Sequence, residues 1–397
     1  MAGIYIHIPF CKQACNYCNF HFSTSLKLKD ELIVALLKEI FITPAPASNS
    51  ILKSIAQNQK STTPLLYTDD EKEVIDTLYF GGGTPSILDL ADLKLLITTL
   101  RERFIFKEDI EITLEANPDD ITPERLSLWK HTGINRLSVG IQSFIEDELV
   151  WMNRGHTAKN SLQCIDEIQK AGFHNFSVDL IYGSPLLSNE DWKKNVDTVI
   201  AKNIPHVSCY ALTVEPKTAL DKMIAENKKQ SVDIEKQAHQ FLLLMDWMQQ
   251  AGYEHYEISN FAKPGMRSKH NSNYWLGEKY YGFGPSAHAF DGVSRRWNIA
   301  NNALYIQSLK NDIIPFEEEI LTAKQQLNEY IMTSLRTMEG LNLNTVKEKF
   351  GEKMSYDLKK VSEKWSAGGK LIINNENIIL TKEGKLFADG IAADLFF

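Results

Sequence analysis

The chain has 397 residues, 43% of them hydrophobic and 24% charged, with a formal net charge of -8. That length suits one large domain plus an appendage, because barrels of roughly 200 to 250 residues commonly form a single unit. The balance argues against a disordered chain and against generic nucleic-acid binding, and no apolar run approaches the roughly 18 residues of a membrane span.

An apolar run at residues 3–9 opens the pattern. No basic region with an apolar stretch and a cleavage site precedes it, so no export signal is expected and a cytoplasmic location is. Five cysteines, an odd number with three close together, agree with a reducing compartment. A helix-patterned stretch follows at 28–41, and a polar, irregular insertion is predicted at about 43–73. Further apolar or β-branched runs fall at 77–82, 110–116, 136–141, 176–182 and 206–212, separated by helix-patterned stretches such as 90–104. Strands that are apolar on both faces and alternate with helices imply a parallel sheet, and six β/α units suit a barrel or partial barrel. A short run at 253–258 would add a strand. From about residue 313 the pattern changes to helices at 322–337, 343–350 and 355–366, then short strands at 371–373 and 378–380. The expected fold is α/β: a partial parallel (β/α)6 barrel over 1–300 and a small winged-helix-like α+β domain over 301–397.

The first strand runs into CKQACNYC, which places Cys11, Cys15 and Cys18 on one tight loop. Thiolates hold iron–sulfur clusters, and three of them can hold three irons of a cubane and leave the fourth open. A zinc site completed by His7 or His21, or inert buried thiols, are the alternatives. Cys164 and Cys209 read as core residues. In a parallel β/α barrel the site forms where the strands end. There YFGGGTPS supplies Gly81, Gly82 and Gly83, and Glu115, Gln142 and Asp179 are polar residues in otherwise apolar strands. Each of those three, taken singly, could be a hydrogen-bonded core residue.

CKQACNYC matches the CxxxCxxC motif of the radical S-adenosylmethionine superfamily. IHIPFC, YFGGGTPS, EANP, RLSVGIQSF, NRGH and DLIYG resemble the branch containing oxygen-independent coproporphyrinogen III oxidase. The resemblance implies that Cys11, Cys15 and Cys18 ligate a 4Fe-4S cluster whose open iron takes the amino and carboxylate groups of S-adenosylmethionine. It places Tyr5 and Tyr17 beside cluster and cofactor, and Gly82, Gly83 and Thr84 at the methionine end. Glu115, Gln142, Arg154, Asp179 and Ala211 would surround the rest. In the oxidases a further cysteine follows two residues after the last ligand; here that position is Phe20. Phe20, the short segment before the first strand and HNSNYW (His270, Asn271, Tyr274, Trp275) resemble instead the HemW-type haem chaperones.

That likeness implies a haem-binding protein that delivers haem to acceptors, expected among haem enzymes of the respiratory chain, with peripheral membrane association and a homodimer as further expectations. Nucleic acid is not an expected partner. His270 is the candidate haem ligand, since neutral imidazole is a common axial ligand, and Arg267, Lys269, Arg295 and Arg296 suit propionates. His255 and His288 compete with it. The plain alternative is a structural turn with His270 hydrogen-bonded and the aromatics in core. No catalytic residue is assigned, and a porphyrinogen oxidase or a radical enzyme acting on another substrate are the rival functions.

Overall fold

The computed structural model describes residues 2–44 and 72–397, so most of the insertion expected at 43–73 lies outside the described residues. Six strands, β1 (Ala2–Ile8), β2 (Val74–Gly82), β3 (Ile105–Ala116), β4 (Arg136–Gln142), β5 (Phe176–Tyr182) and β6 (His206–Ala211), lie side by side in chain order, all parallel. Helices such as Lys29–Ile42, Leu90–Arg103, Ala158–Lys170 and Asn189–Ala201 return the chain between them. Their starts are written locally. Thr157 caps the third of these in a reciprocal box with Asn160, and Ser188 caps the fourth.

The run expected at 253–258 becomes β7 (Glu254–Glu257), paired antiparallel with β8 (Asn260–Ala262), which in turn lies antiparallel to β6. Four strands beyond it were not foreseen: β9 (Lys279–Phe283), β10 (His288–Phe290), β11 (Ser294–Asn298) and β12 (Phe316–Ile320). β9 joins β1 in parallel, and β10, β11 and β12 follow antiparallel, giving among the described residues a twelve-stranded sheet with β12 and β7 at its edges. The hydrogen-bonded ladder is open between those edges, which makes it a partial barrel wall. These late strands carry aromatic, basic and acidic residues on half-exposed faces, so they leave no apolar run to read.

The parallel strands alternate instead of being apolar throughout. Leu78, Phe80, Ile112, Leu114, Leu137, Val139, Val178 and Leu180 are fully buried on the outer face, packed with the helices. Each contributes about 2 kcal/mol by leaving water. Thr77, Tyr79, Glu111, Thr113, Glu115, Arg136, Ser138, Ser177 and Asp179 occupy the intervening positions and face inward.

The C-terminal segment builds a second core around Leu327, Ile331, Leu335, Val346, Leu358, Ile378 and Ile391. It comprises helices Ala323–Leu335, Leu343–Phe350, Glu352–Ala367 and Ala388–Asp394 with a small antiparallel sheet of β13 (Leu341–Asn342), β14 (Leu371–Ile373) and β15 (Asn377–Leu380), ordered β13-β15-β14. Helix Asn302–Lys310 packs Tyr305, Ile306 and Leu309 into the first core.

Candidate functional site

The cysteine loop leaves the end of β1 and is fastened on three sides. Cys11 N donates to Ser23 O at 3.0 Å, Ser23 N donates to Pro9 O at 2.9 Å, and Asn16 N donates to Met152 O at 3.2 Å. The glycine run after β2 lies directly against it: Gly83 N donates to Ile8 O at 2.9 Å and Thr84 N to Phe10 O at 2.7 Å. A Cβ on Gly83 would sit 2.5 Å from the Phe10 carbonyl, so only glycine permits this approach. Gly82 has a φ of 110°, and a Cβ there would meet the His7 ring at 2.7 Å.

Side chains close a circuit over the loop. Thr84 Oγ1 donates to Cys11 Sγ at 3.5 Å, Asn117 Nδ2 donates to Thr84 Oγ1 at 3.2 Å, Arg154 Nη2 donates to Asn117 Oδ1 at 2.8 Å, and Arg154 Nη1 donates to Cys15 Sγ at 3.2 Å. Arg154 Nη2 also donates to Gly140 O at 2.6 Å, while its Nε is buried without a hydrogen-bond partner among the described residues. Burial disfavours the Arg154 charge, but the neighbouring Tyr17 and Cys15 outweigh it and hold the guanidinium above its ordinary range. Burial raises the Cys11 thiol, against a lowering by the Thr84 hydrogen bond, and pushes Cys18 up to about 11. Burial raises Tyr17 as well. Metal binding is what turns such thiols into thiolates.

Glu115 stands below this rim, accepting from Tyr79 OH at 2.8 Å and from Gly82 N at 3.1 Å. Burial pushes its carboxyl up to about 8, against the lowering by Tyr79. Asp179, paired in register with Ser208, is likewise pushed up to about 6 by burial. Gln142 ends β4 at a ladder irregularity with φ 68°, a left-handed conformation uncommon outside glycine. Ala211 ends β6 and is exposed. Tyr5 points inward from β1, its OH 3.2 Å from His7 Nδ1 and its ring stacked on Tyr79 at 6.1 Å.

His270 is elsewhere. Helix Lys269–Trp275, capped by Ser268, plugs the inner face at the N-terminal half of the strands. His270 is 2% exposed, with Nδ1 2.9 Å from Thr77 Oγ1 and Nε2 2.9 Å from Tyr274 OH. Its ring stacks on Tyr79 at 4.9 Å, and Glu111 accepts from the backbone N–H groups of His270 and Lys269 at 3.1 and 3.2 Å. Burial, with the Arg136 charge, lowers His270 to about 3. His255 is tied as well, Nε2 3.0 Å from Ile258 O and Nδ1 2.8 Å from Lys385 Nζ. Cys164 and Cys209 are buried.

Asn117, Gly140 and Tyr79 escaped the sequence reading. Their signal was the alternation itself, Thr77–Tyr79–Gly81, Glu111–Thr113–Glu115 and Arg136–Ser138–Gly140, which sets polar or small residues on one face of strands expected to be apolar on both.

Among the described residues, no three His, Cys, Asp or Glu side chains converge on a single ion. A mononuclear zinc site needs such convergence, whereas a cubane takes each thiolate on a separate iron. The donor set, the glycine cradle and the buried, unpartnered Arg154 Nε together fit a 4Fe-4S cluster with an anionic amino-acid ligand beside it.

Residues 5–199 match the family model "Radical SAM superfamily" and residues 321–387 the model "HemN C-terminal domain". The chain is 32% identical over 395 residues to "Heme chaperone HemW" of Bacillus subtilis (strain 168), covering 98% of each chain. It is 33% identical to "Heme chaperone HemW" of Escherichia coli (strain K12), over 72% of this chain and 69% of that one. Among solved structures, the coproporphyrinogen III oxidase HemN of Escherichia coli superposes with a TM-score of 0.80 at 21% identity, covering 100% of this chain and 90% of that one, a likeness of fold.

Proposed function

Given that this chain belongs to the HemW family of radical S-adenosylmethionine proteins, we propose that it binds haem and delivers it to acceptor proteins. The observation that carries the reading is likeness along the whole chain to proteins named as haem chaperones, C-terminal segment included. Phe20 supports it: the residue two places after Cys18 is 68% exposed beside the loop, and its phenyl ring offers no sulfur ligand.

In this proposal Cys11, Cys15 and Cys18 hold the cluster, and Thr84 and Arg154 donate to two of the sulfurs, easing the charge on buried thiolates. Arg154 also receives the carboxylate of S-adenosylmethionine, Glu115 and Asp179 suit its ribose hydroxyls, and the bare backbone of Gly82 and Gly83 lets the methionine end approach. Tyr5, Tyr17, Gln142 and Ala211 border the same space. When bound, cluster and cofactor supply one-electron reduction of the sulfonium to a carbon radical. The acceptors we propose are haem enzymes of the respiratory chain, met at the membrane surface; among the described residues no helix is long and apolar enough to cross a membrane.

Anaerobically reconstituted protein loaded with haem should pass it to an apo-haemoprotein, read as movement of the Soret band, and should yield no protoporphyrinogen from coproporphyrinogen III with S-adenosylmethionine and reductant. A preparation that keeps its cluster but takes up no haem sinks the reading. Porphyrinogen turnover would put the oxidase in its place.

A further inference from the structure

A cavity of about 440 Å3 opens beside the cysteine loop, lined by Tyr5, Phe20, His21, Tyr274, Tyr280 and His288 among others. That volume lies in the roughly 300–1,000 Å3 range of ordinary ligand sites. Its walls come from parts of the chain far apart in sequence: β1, the end of the cysteine loop, helix Lys269–Trp275, and the late strands β9 and β10. The lining is rich in flat rings. Tyr274 meets Tyr280 edge-on at 4.7 Å, and Tyr280 lies 6.5 Å from Phe290.

The imidazoles of this region differ in what they have left to give. His7 spends one nitrogen on His21 O at 2.9 Å and faces Tyr5 OH with the other at 3.2 Å. His21 Nε2 is held by Asn302 Oδ1 at 2.7 Å. His270 has both nitrogens engaged. His288 is exposed, with its ring stacked on Trp297 at 6.3 Å and an interplanar angle of 29°. Among the described residues, none makes a hydrogen bond to that ring. Burial of part of the side chain, and next the Arg295 charge, lower its pKa, which keeps the ring neutral and its lone pair available near pH 7.

We propose that haem seats in this cavity with a ring nitrogen of His288 as axial ligand, Tyr5, Phe20, Tyr274 and Tyr280 against the porphyrin, and His270 as a structural plug beneath it. Arg295, one strand over on β11 and paired with Glu329 at 3.0 Å, supplies positive charge for a propionate. The inference rests on the haem-binding reading and locates its site. It also gives Phe20 a role: the residue beside the cluster loop becomes part of the cargo's wall, so cargo and cluster share a border.

The test is a titration of the full, cluster-loaded chain with ferric protoporphyrin IX, followed by Soret absorption and electron paramagnetic resonance. His288→Ala should weaken binding at least roughly tenfold, since even outer-shell partners of metal ligands act on that scale, and free imidazole should restore the native spectrum. His288→Met should keep binding but give the spectrum of thioether ligation. His270→Gln should keep the imidazole-ligated spectrum. Wild-type binding that His288→Ala leaves equal in strength and spectrum overturns this site while the chaperone reading stands. Wild-type protein that keeps its cluster but binds no porphyrin iron removes the reading on which it rests.

Discussion

The two halves of the inner face are built from the same residue types and behave differently. At the N-terminal half, His270, Glu111, Thr77 and Tyr274 satisfy one another, and Arg136 sits 3.8 Å from Glu111 in a region almost closed to water, its Nε and Nη2 without a hydrogen-bond partner among the described residues. At the C-terminal half, three cysteines, Glu115, Asp179 and Arg154 stay half-exposed, with one guanidinium nitrogen unpartnered among the described residues and both carboxyls pushed up by burial. Tyr79 joins the halves, its ring stacked on His270 and its hydroxyl donating to Glu115. Among the described residues both halves hold buried nitrogens without a partner, so pairing does not separate them; access does, since Cys11, Cys15, Cys18, Glu115, Arg154 and Asp179 are half-exposed whereas Thr77, Glu111, Arg136 and His270 are buried, and a gathered polar set that a ligand can reach marks a place for one. Chemical type alone would not have separated the two.

Breaking the open half should have the largest effect. Cys11→Ala, Cys15→Ala or Cys18→Ala should abolish retention of the cluster, read as loss of iron and of the visible absorption after anaerobic reconstitution, with little change in folding. Breaking the closed half should cost stability instead of chemistry: His270→Ala leaves Thr77, Tyr274 and a stacked ring without partners and should cost about 2–4 kcal/mol in chemical denaturation. If it lowers porphyrin affinity without altering stability, the division between the halves is wrong.

Gly83→Ala probes the seam. Its Cβ meets the Phe10 backbone, which cannot swing aside, so a loss of about 1–3 kcal/mol and a looser cluster are expected. Arg154→Met should lower affinity for S-adenosylmethionine by about tenfold, the loss of one charge-assisted contact, measured by calorimetry on cluster-loaded protein. At neutral pH the smallest effect is the last, a slope that appears only on acidification. His270 is lowered to about 3 in the fold, so the folded ring stays neutral while the unfolded one takes a proton below about pH 6.5. Its stability contribution is therefore full above that value and falls away as pH drops towards 3. The denaturation free energy should decline through this window by up to about 1.4 kcal/mol per pH unit for each such histidine, and His270→Gln should flatten the slope. His7 and His156, lowered to about 4, add to the slope that remains.

The six β/α units and the cysteine loop were legible because each rests on contiguous residues: an apolar run, a cap, three thiols in eight positions. The strand boundaries differ by a residue or so at β1 and by five at the start of β3, where Ile105 to Asp109 are half-exposed and lack an apolar run. β9 to β12 were not legible, because they are held by pairing with β1 and with one another and not by a pattern of their own. HNSNYW could be quoted as a motif, but its helix and its place beneath Tyr79 could not.

Amino-acid order alone therefore settled the parallel architecture, the loop that presents three thiols and the family likeness, since local periodicity and short motifs carry all three. Tertiary structure alone decided which polar groups meet. His270 and His288 lie 18 positions apart in the sequence. One is folded inward, where burial forces it to find two partners; the other sits on a late strand at the mouth of a cavity, where none of the described residues hydrogen-bonds its ring nitrogens. That difference depends on contacts between segments hundreds of residues apart, which no local pattern encodes.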